Sequence, residues 1–296
     1  MKLIKPLALA CTLLGSATVA QAFDLGGALN TLNSPDAKSA LSIGKKMVSA
    51  NREIDETEEV SIGQGIAAQI LGAYPLVNDP AMQKYVNRVG LWLALQTERP
   101  TLPWKFGVID TDKVNAYSMP GGTVLITRGM YQKLHSESEL AGVLGHEISH
   151  VLRKHQLKAI QKQMGNEWRA ELAQTAAAHQ NNNANSDAAV KAFSAGTELF
   201  TRGLDKDDEY EADRMGVVIA ARGGYTPFGL VNVLQTLGAV DPKDSGMALM
   251  FKTHPSPAKR LDMLGLAMGD NLNAYADQVS DTGRFPGTGT QTQKKK

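Results

Sequence analysis

The sequence contains little cysteine, few aromatic residues and almost no net charge. Of its 296 residues one is Cys, 6% are Phe, Trp or Tyr, and 31 Lys and Arg face 30 Asp and Glu, a formal charge of +1. A single Cys excludes a disulfide framework and a thiolate zinc cluster. Proteins that bind nucleic acid usually carry a clear basic excess, so we expect no nucleic acid among the partners. The length suits a globular protein with one substantial core or two small ones.

Long hydrophobic runs are also missing after the first 22 residues. Those residues contain Lys2 and Lys5, an apolar run from Leu7 to Leu14, and small residues that end in Ala20-Gln21-Ala22. This order is typical of a cleavable secretory signal peptide. We therefore expect a periplasmic protein whose mature chain has no transmembrane span and at most a peripheral association with the envelope. A membrane anchor, or a lipid on Cys11, is the alternative.

Hydrophobic periodicity divides the rest into helical parts around one short β-rich stretch. The runs KFGVID, VNAYSMP and GTVLIT follow Trp104 and are separated by turn residues, a pattern typical of a small antiparallel sheet. Apolar residues at helical spacing predict helices at 34–51, at 58–74, from Pro80, and at 188–202, 204–222, 226–239 and 257–268. The predicted fold is mainly α, of the α+β class.

The predicted organisation has four parts. It comprises a signal peptide at 1–22, an N-terminal helical segment at 23–59, a main domain at 60–268 and a disordered tail at 269–296. The tail is rich in turn-forming residues and has no periodicity. The polar run QNNNANSD, within 165–187, predicts a loop that could act as a lid.

The first chemical motif is His146-Glu147-Ile148-Ser149-His150, an H-E-x-x-H pattern. Ser136 and Glu139 form a capping box that opens a helix just before it. Two His four residues apart lie on one helical face, so both imidazoles can reach one metal ion with Glu147 beside it. The motif predicts a metal site on this helix.

A catalytic zinc needs a third protein ligand, and the sequence restricts where it comes from. The extended motif H-E-x-x-H-x-x-G-x-x-H would require Gly at 153 and His at 156, where this chain has Arg153 and Gln156. His155 misses that register by one residue, and we interpret it as a helix-surface residue.

The third ligand is predicted on a later helix, at Glu209. Asp213 lies four residues on and shares its face, so it can accept a hydrogen bond from a ligand imidazole. Glu211 should point away from the metal. The alternative is that the acidic stretch 205–213 is only a solvated helix start.

These motifs resemble the HtpX and CAAX-protease family of zinc metallopeptidases, most closely its secreted bacterial branch of the β-barrel assembly-enhancing type. The resemblance rests on H-E-x-x-H, Glu209-x-x-Ala212-Asp213, NAYSMPGG at 115–122 and Thr253-His254-Pro255. It implies a helical zincin-like domain at 60–268 with one Zn²⁺ per chain, held by His146, His150 and Glu209. It also implies that Glu147 is the general base and that the segment at 115–122 lines the substrate cleft.

The remaining site assignments are hypotheses. Residues implied to bind substrate are Asn115, Ala116, Tyr117, Ser118 and Arg260. A strand in this segment could pair with an extended peptide, unless it is buried without a free edge. His254 could stabilise the oxyanion, occupy the fourth metal position or be a surface residue. Arg260 could assist the oxyanion or pair with an acidic neighbour.

The sequence thus predicts a zinc endopeptidase. The resemblance alone implies that its substrates are unfolded or misassembled envelope proteins, with outer-membrane proteins as one candidate class. One alternative is a chaperone or outer-membrane assembly factor whose zinc site is closed by His254. Another is a zinc hydrolase acting on small peptides or cell-wall amides.

Overall fold

A computed structural model describes residues 53–163, 203–241, 244–279 and Phe285. The predicted signal peptide, the predicted helices at 34–51 and 188–202, and most of the predicted loop at 165–187 lie outside these residues. Among the described residues, no helix combines the length and apolar character that crossing a bilayer requires.

The described elements are mostly helices around one three-stranded sheet. In chain order they are α1 (Glu56–Ala73), α2 (Pro80–Ala94), β1 (Lys105–Ile109), β2 (Ala116–Met119), β3 (Thr123–Thr127), α3 (Arg128–Tyr131), α4 (Glu137–Leu152), α5 (Lys206–Arg222), α6 (Phe228–Gly238), α7 (Ala248–Thr253) and α8 (Pro257–Met268). Residues 155–163 are also helical, and Asn273–Tyr275 form a 3₁₀ turn. The predicted mainly helical α+β fold is confirmed.

Side-chain caps fix where the principal helices begin. The Asp79 carboxylate accepts hydrogen bonds from the backbone N–H groups of Ala81 and Met82, both at 3.0 Å, just ahead of Pro80 at the start of α2. Ser136 Oγ accepts from the backbone N–H of Glu139 at 3.2 Å and opens α4. These caps satisfy N–H groups that have no partner inside the helix. Both capping residues are recognisable in the sequence, so the observed starts of α2 and α4 agree with the predicted ones.

The sheet is mixed, with strand order β1-β3-β2, so the prediction of a wholly antiparallel sheet is wrong. The tight turn through Gly121 and Gly122, at φ of +78° and +104°, makes β2 and β3 antiparallel. β1 pairs with the other edge of β3 and runs parallel to it. Leu76 bridges to Ile109 on the outer side of β1. Within the described ranges β2 is therefore the sheet edge that pairs with one strand only.

Helix α4 lies at the centre of the domain. All of its residues from Glu137 to Leu152 are buried, including both His of the motif. It packs against α2, α5, α6 and β2. A helix buried on all sides is held in one position by its neighbours.

Glycines bring α4 and α5 into backbone contact. A Cβ on Gly145 would lie 2.7 Å from the carbonyl oxygen of Gly216, and a Cβ on Gly216 would lie 2.8 Å from the backbone nitrogen of His146. Both distances are too short for a carbon atom, so only glycine permits this approach. The contact brings the helix that carries Glu209 against the helix that carries the H-E-x-x-H motif.

Glu59 of α1 links three separated segments. Its carboxylate is fully buried and pairs with Arg99 at 2.9 Å and with Lys154 at 3.2 Å. It also accepts a hydrogen bond at 3.1 Å from the backbone N–H of Gly121, in the turn between β2 and β3. Lys154 itself has a φ of +56°, unusual for a residue with a side chain. This one carboxylate therefore ties α1 to the sheet turn and to the end of α4.

The predicted disordered tail begins too early. Besides the 3₁₀ turn, Val279 forms a bridge with Tyr225, and its carbonyl oxygen accepts from the N–H of Thr226 at 3.1 Å. The Phe285 ring lies 5.3 Å from the ring of Tyr131. Single apolar residues anchor this stretch, and they leave no periodic signal in the sequence.

The α4–α5 contact gives a stability prediction. Gly216→Ala should lower the free energy of unfolding by about 1–3 kcal/mol, because the added methyl overlaps the α4 backbone. Gly265→Ala, at an exposed position of α8, is the matched control, because nothing lies within 4 Å of its added Cβ. That control should be neutral or stabilising by up to ~1 kcal/mol. Chemical denaturation measures both, and equal effects would contradict the close-contact interpretation.

Candidate metal centre

Four donor groups from three parts of the chain converge beside α4; His146, His150 and Glu209 are buried and His254 is partly buried. His146 Nε2 and His150 Nε2 lie 3.1 Å apart. Glu209 places Oε2 3.6 Å from His146 Nε2 and Oε1 3.6 Å from His150 Nε2. His254, just after α7, places Nε2 3.7 Å from Glu209 Oε2. The structure thus brings the three predicted ligands together and adds His254 to them.

The donor set fits a zinc ion. Tetrahedral Zn²⁺ with bonds of about 2.0–2.1 Å separates its ligand atoms by about 3.4 Å, close to the distances found. Donor atoms of His146, Glu209 and His254 all lie within 4.8 Å of one another, and His150 adjoins them. Glu209 Oε2 is buried, and no described residue forms a hydrogen bond with it. A buried carboxylate oxygen without a donor is the group that a cation would satisfy.

His146 is oriented by a buried ion pair. Its Nδ1 lies 2.9 Å from Asp213 Oδ1. Arg260 holds the same carboxylate through two hydrogen bonds, Nε to Oδ2 at 2.9 Å and Nη2 to Oδ1 at 2.6 Å. Asp213 thus lies where it can accept the imidazole N–H and fix the tautomer that leaves Nε2 facing the donor cluster. Of the two roles proposed for Arg260, the geometry shows the pair with an acidic neighbour.

His155 is not on the helix surface, so that interpretation is wrong. Helix α4 ends at Leu152, and the turn at Lys154 redirects the chain before the next helical stretch. His155 is only 1% exposed, and its Nδ1 lies 2.9 Å from Nδ1 of His150. Its other nitrogen faces Glu211. Extending the helical period of α4 past residue 154 predicts the wrong position for His155, because the helix ends before that residue.

Glu147 is held by a short chain of side chains. Ser118 Oγ donates to Glu147 Oε2 at 2.7 Å, and Gln156 Nε2 donates to Ser118 Oγ at 2.7 Å. The resemblance predicts Ser118 in the cleft, and the sequence predicts no role for Gln156. Gln156 is only 5% exposed, but it follows the turn at Lys154 that breaks the helical period, so no local pattern marks it.

Burial and nearby charges set the protonation of the cluster. Burial raises the pKa of Glu147, and it raises that of Glu209 to about 7, because the charged form loses hydration. Burial, together with the positive charges of Arg260 and His146, lowers the pKa of His254 to about 3. Burial alone would raise the pKa of Asp213, but Arg260 holds it well below its ordinary value.

Two cavities flank Glu147. The first is lined by Asn115, Ala116, Tyr117 and Ser118 along β2 and its start, and by Glu147, Glu209 and His254. The second is lined by apolar residues of α6 and by Arg260. Asn115 is buried and lines both cavities, and among the described residues its Oδ1 has no hydrogen-bond partner. All predicted substrate-binding residues therefore border one of the two cavities.

The ion pair gives a second prediction. Arg260→Leu should lower the stability of the metal-free protein by about 3–5 kcal/mol, because Asp213 is left buried and unpaired. Denaturation in the presence of a chelator measures this loss without a metal contribution. The double variant Arg260→Leu/Asp213→Asn removes the stranded charge and should lose less than the single variant. An equal loss would show that Arg260 acts through packing alone.

Comparison with known proteins identifies relatives of this chain. Residues 80–266 match peptidase family M48. The chain is 31% identical over 228 residues to the β-barrel assembly-enhancing protease of Escherichia coli O157:H7, which covers 76% of this chain and 47% of that protein. It is 31% identical over 212 residues to the mitochondrial metalloendopeptidase OMA1 of Arabidopsis thaliana, covering 70% of this chain and 41% of the relative. The metalloprotease YcaL of Escherichia coli K12 is 26% identical over 249 residues, with 80% and 89% covered. The chain spans about half the length of the first two relatives and belongs to peptidase family M48.

Proposed function

We propose that this protein is a zinc endopeptidase that cleaves extended polypeptides. The observation that supports this most is the convergence of His146, His150 and Glu209 on one point, with Glu147 alongside and held by Ser118. Two imidazoles, one carboxylate and an adjacent carboxylate base are the groups that a zinc peptidase needs.

Zinc held by His146, His150 and Glu209 would lower the pKa of a water molecule and polarise the peptide carbonyl. Glu147 would take the proton of the attacking water and pass it to the leaving amine. Because Ser118 occupies Oε2, we assign the proton transfer to Oε1. Asp213 keeps His146 in the tautomer that presents Nε2, and its pair with Arg260 keeps the carboxylate in place.

The edge strand supports a peptide as substrate. Within the part of the chain that the structure describes, β2 pairs only with β3; its four residues are buried, and Ala116, Tyr117 and Ser118 line the cavity next to Glu147. An extended peptide can add to such an edge through backbone hydrogen bonds, which recognises main chain without reading sequence. Asn115 Oδ1 can accept one further backbone N–H of that peptide. Unfolded proteins present extended main chain and are therefore the substrate class we propose.

Two observations support a proposal for the location of the protein and its substrates. The N-terminal sequence predicts export to the periplasm, and a segment covering 76% of the chain is shared with a protein named for assisting β-barrel assembly. We infer that the substrates are unfolded or misassembled envelope proteins, including outer-membrane proteins.

Substitution of the base tests the activity. Glu147→Gln should lower casein cleavage by about 10²–10⁴-fold, because the amide cannot take the proton. Zinc content, measured in parallel, should stay near one per chain, since Glu147 is not a ligand. Exposed Glu98→Gln is the control and should cleave normally. Zinc-loaded wild type that cleaves no unfolded protein would overturn the proposal.

One observation favours a second function, that of a chaperone or assembly factor with a self-inhibited zinc site. Thr253 Oγ1 donates to the carbonyl oxygen of Leu249 at 2.9 Å and lies 2.9 Å from Nδ1 of His254. With its proton used, that oxygen can only accept from His254 Nδ1–H. The neutral imidazole then presents the lone pair of Nε2 to the donor cluster, where it competes with water for the fourth position.

A substitution of His254 separates its two roles. If the Nε2 lone pair closes the site, His254→Ala should raise casein cleavage several-fold over wild type at equal zinc content. A fall in cleavage would show instead that His254 donates to the oxyanion. Wild type that binds zinc and does not cleave, together with a variant that does, would support the self-inhibited protein.

A further inference from the structure

The two histidines of the motif are oriented by different kinds of partner. Nδ1 of His146 faces the buried carboxylate of Asp213. Nδ1 of His150 faces another imidazole, that of His155, at 2.9 Å, and the two rings meet edge to face at 73°. A His that binds metal through one nitrogen carries a proton on the other and needs an acceptor there. For His150 that acceptor is His155.

The partners of His155 fix its own tautomer. Its Nε2 lies 3.3 Å from Glu211 Oε2 and 3.4 Å from Asp208 Oδ1, both near the start of α5. Two carboxylates on that side require a proton on Nε2, so Nδ1 keeps its lone pair and can accept from His150. The proton on His150 Nδ1 therefore points to His155 Nδ1, and the proton on His155 Nε2 points to the two carboxylates.

The carboxylates of Asp208 and Glu211, which face His155 Nε2, are partly exposed. The side chains of Asp208 and Glu211 are 34% and 36% accessible, whereas His155 is 1%. Glu211 also pairs with Arg153 at 2.9 Å. The buried imidazole therefore connects a site inside the protein to a charged surface on the helix that carries Glu209.

We propose that His155 is a positioning residue for the metal site, which holds the His150 imidazole in its ligating tautomer and orientation and is itself held by Asp208 and Glu211. The inference rests on the proposed zinc function. It predicts that zinc affinity depends on two surface carboxylates that do not touch the metal.

The main test compares two replacements of His155. His155→Phe keeps the ring volume and removes both nitrogens, and should weaken zinc binding about 10–100-fold. His155→Asn places an amide oxygen near the position of Nδ1 and should restore affinity to within a few-fold of wild type. His135→Phe, at a His whose side chain is 67% exposed, is the control and should bind zinc as wild type does.

Two readouts report on the site without activity. Competition with a chromogenic chelator gives the zinc dissociation constant. The visible spectrum of the Co²⁺-loaded protein reports ligand geometry, and it should change in His155→Phe and recover in His155→Asn. Wild-type affinity together with a wild-type spectrum in His155→Phe would overturn the inference. A similar loss in both His155 variants would also overturn it, because packing rather than the hydrogen bond would then be responsible.

A second pair of variants avoids disturbing the buried ring. Asp208→Asn/Glu211→Gln keeps the shapes of both side chains and should weaken zinc binding several-fold. Asp207→Asn makes a similar change at exposed Asp207 of the same helix start and should have no effect. Equal affinities for the double variant and wild type would contradict the role given to the carboxylates. If wild type itself does not bind zinc, the proposed zinc function fails together with this inference. If wild type binds zinc and the variants lose no affinity, only the inference fails.

Discussion

The backbone contact between α4 and α5 at Gly145 and Gly216 is the constraint on which the candidate metal centre depends. His146 and His150 lie on one of these helices, and Glu209 and Asp213 lie on the other. Ligand atoms must meet within a few tenths of an ångström, which side chains can achieve only if the helices that carry them cross at a fixed distance. Glycine at both positions lets that distance be set by backbone atoms, which cannot change rotamer.

Around this crossing the protein buries several charged groups, and some of them form ion pairs. Arg260 compensates Asp213, and Arg99 and Lys154 compensate Glu59. Glu209 differs, because the nearest positive charges are not hydrogen-bonded to it and burial raises its pKa to about 7. Burial also raises the pKa of Glu147, whose carboxylate accepts a hydrogen bond from Ser118. Glu147 and Glu209 are thus two buried carboxylates without a hydrogen-bonded positive partner among the described residues, and both lie where a cation is expected.

The sequence predicted well what local patterns encode. The H-E-x-x-H motif, its capping box and the spacing of Glu209 and Asp213 all depend on the period of a single helix, and the structure places these residues accordingly. The parallel pairing of β1 with β3 depends on contacts between distant segments, which no local pattern reports. His155 and Gln156 follow a turn that breaks the helical period at Lys154, so extrapolating that period misplaced His155 and gave Gln156 no role. Val279 and Phe285 are isolated anchors in an aperiodic stretch, and they were assigned to the tail for that reason.

The carboxylate of Glu59 has a consequence for how the cleft is assembled. It joins the turn that follows β2, which carries Ser118, to the turn that precedes His155 and Gln156. Two segments that border the cleft are therefore held together by Glu59. This residue belongs to α1, a helix outside residues 80–266 that match the family. A fragment trimmed to the matched residues would retain every proposed metal ligand and still lose these contacts of Glu59. The alignment of the proposed catalytic residues thus depends on a segment that contributes none of them.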